Sequence, residues 1–216
     1  MARAPEIPAA ALASIARQVG ARMPAAPAGA RSLAEAAAAP AVIGESFPVY
    51  MLGLDKIQGG ERNLPDVVRQ TGVWQHQVRH GSQAQEIARS LAPPPGADST
   101  GGQGWLVQEV VRSPVAPRIE EAISWIDQNV PEDAVASILV VPAFYLTAFW
   151  LHEPTSDRVV IADMPAGLGN LQPLQLYSAE DFLNRLAALE PSSGVPVGNP
   201  PGAVPPASPL PAPAGR

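Results

Sequence analysis

The hydrophobic pattern of the chain is dominated by one run: residues 134–151 carry no charged side chain, and nothing else stays apolar for as long. The run is dense in Val, Ile, Phe, Tyr and Trp, residue types that suit pleated, buried surfaces. Pro142 falls inside it and cannot donate to a backbone ladder, so residues 137–141 are expected to extend, Pro142 to interrupt, and 143–151 to continue as a strand. On that strand Phe144, Leu146, Ala148 and Trp150 point one way and Tyr145, Thr147, Phe149 and Leu151 the other. Both faces are apolar, which predicts a central strand covered on both sides. A polar turn over 152–157 and a β-rich run over 158–164 complete a hairpin, with Leu151 and Val159 facing each other near its loop. Eighteen residues is also close to the length of a membrane-spanning helix, so an anchor over 134–151 is the competing reading. Pro142, the acidic flanks Glu132, Asp133 and Glu153, and the lack of a flanking Lys/Arg cluster argue against it.

Helical periodicity appears in three other places. Ile119, Ile123, Ile126 and Val130 recur at i, i+4, i+7 and i+11 between Pro117 and Pro131, which predicts a helix laying one apolar stripe over the 134–151 strand. Phe182, Leu183, Leu186 and Leu189 follow Ser178, a capping residue with Asp181 three positions on. Near the start, Pro8 precedes Leu12, Ile15 and Val19, with Gly20 at the end. This reads as an amphipathic helix and not as a signal peptide, because Glu6 and Arg17 bracket a short, alanine-rich run. A further Ala-rich helix is expected over 31–39, capped by Ser32, with Leu33 its one large apolar residue. Strands are expected over 47–54, 73–80 and 105–111, a turn or two of helix within 64–70, and a short helix over 82–91 built on Ser82, Gln85, Ile87 and Leu91.

These elements define an α+β fold, a mixed or antiparallel sheet of about five strands packed by helices. It is flanked by an Ala-rich helical N-terminus over 1–45 and a Pro-rich tail over 191–216; residues 46–190 form one domain. The tail holds nine prolines and no aromatic residue, so it cannot bury enough area to offset its ordering cost and is expected to be disordered. The predicted core order, βββαββα, resembles in element order only the compact α+β fold of bacterial secretion chaperones. That resemblance implies a protein-binding role.

Charge and composition narrow the classes. The formal net charge is −6 with no basic block, which argues against a nucleic-acid groove or an anionic membrane surface as partner. The absence of cysteine excludes disulfides, a thiol nucleophile and cysteine-based metal sites, and agrees with a cytoplasmic protein. No cofactor or metal is expected. His76 and His80 have zinc-like spacing, but on a strand they stand ~13 Å apart at about 3.3 Å per residue, too far to share one ion. The glycines at 101–104 and 167–169 lack the strand-to-helix setting of a phosphate loop.

Two groups remain. His152, Glu153 and Asp157 share the predicted hairpin turn, with Asp163 on the returning strand; a histidine beside carboxylates is the raw material of general-base catalysis. Trp125 sits at the edge of the isoleucine stripe, where it can mark a protein contact. Three functions follow: a non-catalytic accessory or adaptor protein, chaperone-like, binding another protein or a second copy of itself; a small hydrolase or ligand-binding enzyme using His152 with Glu153 or Asp157; and a membrane-tethered protein anchored by 134–151.

Overall fold

Eight strands lie in one mixed sheet of order β4-β3-β2-β1-β5-β6-β7-β8. They are β1 (Val42–Leu52), β2 (Val68–His80), β3 (Gln83–Leu91), β4 (Leu106–Arg112), β5 (Val135–Val141), β6 (Leu146–His152), β7 (Asp157–Asp163) and β8 (Leu176–Ser178). The helices are α1 (Ala9–Arg22), two short ones between β1 and β2, α2 (Leu54–Gln58) and α3 (Leu64–Val67), then α4 (Val115–Asn129) and α5 (Ala179–Ala187). This is a computed structural model, and it describes residues 4–22, 41–80, 83–94, 96 and 103–189. The expected helix over 31–39 and the Pro-rich tail lie outside the described residues.

The chain runs through four antiparallel strands and a helix twice. The first unit is β1 to β4 followed by α4, the second β5 to β8 followed by α5, and the two meet where β1 pairs in parallel with β5, Val49 opposite Ile138 and Met51 opposite Val140. A parallel pair requires a crossover, and α4 supplies it. Its stripe of Ala116, Ile119, Ala122, Ile123 and Ile126 is buried against Ile87 of β3, Phe47 and Val49 of β1, Ala136 and Ile138 of β5, Phe149 and Leu151 of β6 and Val160 of β7. The isoleucine helix therefore covers the 134–151 region as its periodicity predicts. On the opposite face, α5 buries Phe182, Leu183 and Leu186 beside α2 and α3 and above Leu139, Leu146, Trp150 and Val159. There the Ser178 hydroxyl accepts the Asp181 amide at 3.1 Å, the cap its sequence predicts. On this second face α1 sets Ala11, Ile15 and Val19 against Val78, Ala88, Trp105 and Val107. Ala11 takes the buried place expected for Leu12, which is half-buried.

Three expectations are corrected. The sheet has eight strands where about five were counted, and residues 83–91 form β3, not a helix. The i, i+4 spacing of Ile87 and Leu91 suits a helix as well as a strand, and simultaneous ladders to β2 and β4 decide for the strand. The resulting order, two ββββα units, departs from the secretion-chaperone order. Finally, the uncharged run is two strands, not one. At Pro142–Phe144 the backbone makes a 3₁₀ turn, Tyr145 takes φ 51°, and β6 returns antiparallel on β5, Ile138 opposite Phe149. Its apolar side chains satisfy the two faces of a sheet, and no described helix is long and apolar enough to cross a membrane. The hairpin predicted with 158–164 is present with its returning strand at Asp157–Asp163 and one residue out of the expected register, Trp150 facing Val159 and Leu151 facing Arg158.

Phe149 is 1 % exposed and meets the Phe47 ring edge-on, centroids 5.1 Å apart, beneath α4 and across the β1–β5 seam. Replacing it with Ala should remove about 3–5 kcal/mol of stability through lost transfer energy and a cavity that the flanking strands cannot close. Urea unfolding should show a lower midpoint with an unchanged slope.

Candidate functional site

The hairpin turn joining β6 to β7 is closed by the Glu153 amide donating to the Ser156 carbonyl at 3.0 Å. It brings His152, the last residue of β6, opposite Asp157, the first of β7. Imidazole Nδ1 lies 2.6 Å from the Asp157 carboxylate, with the His152 side chain 64 % exposed and Asp157 14 %. A carboxylate at that distance accepts the Nδ1 proton and leaves Nε2 as the acceptor, the orientation a general base needs. Of the expected cluster, only this pair forms. Glu153 is held by Arg158, Nε to Oε1 2.6 Å, and Asp163 at the far end of β7 pairs with Arg118 of α4. Among the described residues no hydroxyl nucleophile is hydrogen-bonded to His152. Next along the strand, Trp150 stacks edge-on between Tyr50 and His152, at 5.1 and 6.1 Å, with its indole N–H buried and unpartnered.

His76 is fully buried at the centre of β2 and is held between two hydroxyls. Nδ1 is 2.8 Å from Ser46 Oγ on β1 and Nε2 2.7 Å from Ser90 Oγ on β3. The Ser46 hydroxyl donates in turn to the Gly44 carbonyl at 3.4 Å. All partners are then satisfied if Nδ1–H donates to Ser46 and the Ser90 hydroxyl donates to Nε2. This network is closed, with no room for a substrate. Burial pushes the His76 pKa from 6.5 down to about 4. His80, four residues on, contacts Glu86 at 3.3 Å. Ser46 and Ser90 carry no local signal that they meet His76, being 30 and 14 residues away in sequence. Among the described residues no three His, Asp or Glu side chains converge as a metal site.

On the α4 face, Arg79 at the end of β2 bridges Glu45 of β1 at 2.9 Å and Glu120 of α4 at 3.0 Å. The other Glu120 oxygen accepts the Ala84 amide at 2.9 Å. These contacts tie the first half of α4 to the sheet, one arginine serving two carboxylates, so the trio keeps a net charge of −1. Trp125 is half-buried, packed against the α4 cluster, and its carbonyl accepts the Asn129 side-chain Nδ2 at 2.8 Å.

The remaining feature is an edge. β4 ends the sheet on one side, seven residues long, with Leu106 55 % and Val111 36 % exposed. β8 ends the other side and has three residues. A bulge opposite Arg89 and Ser90 displaces Gln108, and Glu109 beyond it pairs with Arg89 at 2.6 Å. Comparison with family models, curated proteins and solved structures returned no match.

The unfolded state accepts a proton at His76 near pH 6.5, whereas the folded state resists until about pH 4. His76 burial is therefore without penalty above pH 6.5. As pH falls from 6.5 toward 4 the fold should lose about 3 kcal/mol through this one group. Denaturant midpoints of the wild type and His76→Gln, followed over that range, should diverge by this amount, because the variant lacks the titration.

Proposed function

We propose that the protein is a non-catalytic accessory or adaptor module that binds another protein. The observation carrying this reading is the β4 edge, a seven-residue strand that no further strand covers and that presents Leu106 and Val111 to solvent at the end of the sheet. Soluble folds blunt such edges because unpaired backbone and exposed apolar side chains recruit other chains, and strand addition is a common mode of peptide recognition. The Leu106→Lys, Val111→Lys pair places two charges on already exposed positions and should change stability by less than about 0.5 kcal/mol each. In quantitative affinity capture from the native host, a partner held by the wild type should be lost by the double variant and kept by Glu121→Lys, an exposed change on α4. Equal retention by all three would remove the edge from the reading.

A second reading, a hydrolase or ligand-binding enzyme, is favoured by the His152–Asp157 contact and the exposed imidazole. It predicts general-base hydrolysis of an activated ester such as p-nitrophenyl acetate. If it holds, His152→Ala and Asp157→Asn should each lower the rate by at least about a hundredfold. A rate equal to that of free imidazole at the same concentration, unchanged in Asp157→Asn, would dispose of it.

A further inference from the structure

α1 does more than cover apolar surface. Its Gln18 carboxamide donates through Nε2 to the Trp105 carbonyl at 2.9 Å and accepts through Oε1 from the Val107 amide at 3.0 Å, and Arg22 one turn later donates to the Gln108 carbonyl. A C=O at position i and an N–H at i+2 on the same side of a strand are the groups that a neighbouring strand would pair. One glutamine side chain thus supplies the donor and acceptor of a missing ninth strand. The apolar anchorage of the helix is Ala11, Ile15 and Val19 set on Val78, Ala88, Trp105 and Val107, so a partner that displaces it must also bring apolar surface to that patch.

Resting on the protein-binding reading above, we propose that α1 is a displaceable plug on the β4 edge, exchanged for an extended segment of the partner protein that adds as a strand beyond β4. The helix and the incoming segment compete for the same backbone groups at Trp105, Val107 and Gln108. Charge defines the segment. On its inner side β4 accepts β3 with Arg89 opposite Glu109 and Glu86 opposite Arg112. Glu109, which already pairs with Arg89, and Arg112, which contacts Gln85, would each gain a second cross-strand partner from a segment carrying a base opposite Glu109 and an acid three residues before it, opposite Arg112, with apolar residues beside Val107 and Val111. Leu106 and Val111, exposed while the plug is seated, are covered in the exchanged state.

The test uses the full chain and a fluorescent peptide of sequence QAQEIARSL, residues 83–91, which carries this charge pattern. Removing the competing contacts in Gln18→Ala, Arg22→Ala should tighten peptide binding by at least about tenfold, because the plugged fraction no longer reduces the competent one. A peptide with its Glu and Arg exchanged should bind more weakly. Arg22→Cys with Gln108→Cys, bridged in this otherwise cysteine-free chain by a short disulfide-containing bis-maleimide, should abolish binding and recover it on reduction of the linker. Equal affinity for wild type, unplugged and locked proteins, or no binding to any, overturns the proposal. So does self-association of the unplugged variant in place of peptide binding, since the edge would then belong to a second copy. Should the unplugged variant fail to fold, native-state hydrogen exchange of the wild type decides: the Val107 amide should exchange with the α1 amides, well before those of β5 and β6, and joint exchange of all of them counts against displacement. A host partner lost by the Leu106/Val111 lysine variant yet held equally by the locked protein would keep the protein-binding reading and remove the plug.

Discussion

Everything in this molecule hangs on the parallel contact between β1 and β5. Each four-stranded unit could close its own antiparallel ladder from local hairpins, but only the seam turns two units into one sheet, and a parallel seam cannot be made by a tight turn. The chain must leave β4 at one edge, travel back over the sheet and enter β5 in the middle. α4 is the vehicle. Its buried stripe touches strands on both sides of the seam, so the apolar area that stabilises the helix is the same area that holds the units together. Arg79, paired at once to Glu45 and Glu120, fixes the entry of that helix. Phe47 and Phe149 meet edge to face beneath it, one from each unit.

The two faces solve the burial problem differently. The α4 face carries one long helix, whereas the opposite face is divided between α1 over the first unit and α5 with α2 and α3 over the second. Polar groups collect in the strip between these patches: Ser46 and His76, buried, then Trp150 with its unpartnered indole N–H, and His152 at the margin. The buried imidazole is tolerated because two hydroxyls, each from a neighbouring strand, meet both ring nitrogens. The same geometry makes the network a register lock, since a slip of β1 or β3 by one residue would send its serine to the other face.

What could be read from the chain followed the range of the interaction responsible. The α4 stripe, the Ser178 cap and the β6–β7 hairpin rest on residues within a few positions of one another, and all three are present. β3 was missed because Ile87 and Leu91 fit both periods, and the decision lies with ladders to β2 and β4. The turn inside the uncharged run was missed for another reason: a left-handed Tyr145 is not among the residues that announce a turn. The His152–Asp157 contact was legible because a hairpin sets its two ends opposite each other, and the separation of Glu153 from it was not, because Arg158 takes that carboxylate. Gln18 was invisible as an edge partner; in the sequence it is one more polar residue beside an apolar stripe.

The β1–β5 seam also orders the molecule in time. β1 meets β5 across about 90 residues of sequence, so during synthesis at roughly 5–20 residues per second its inner edge leaves the ribosome about 5–20 seconds before the strand that will cover it. Through that interval the nascent first unit carries two open edges, one at β4, where α1 is already made and can seat itself, and one at β1, where the natural mate does not yet exist. The bulge that interrupts β1 at Gly44 and Glu45, and the extra β2 residues between Gln70 and Trp74 that lie opposite Val49, add local twist to the β1–β2 pair. An irregularity that looks like a blemish in the finished sheet is, in a half-made one, the kind of feature that makes an uncovered edge a poorer template for another chain.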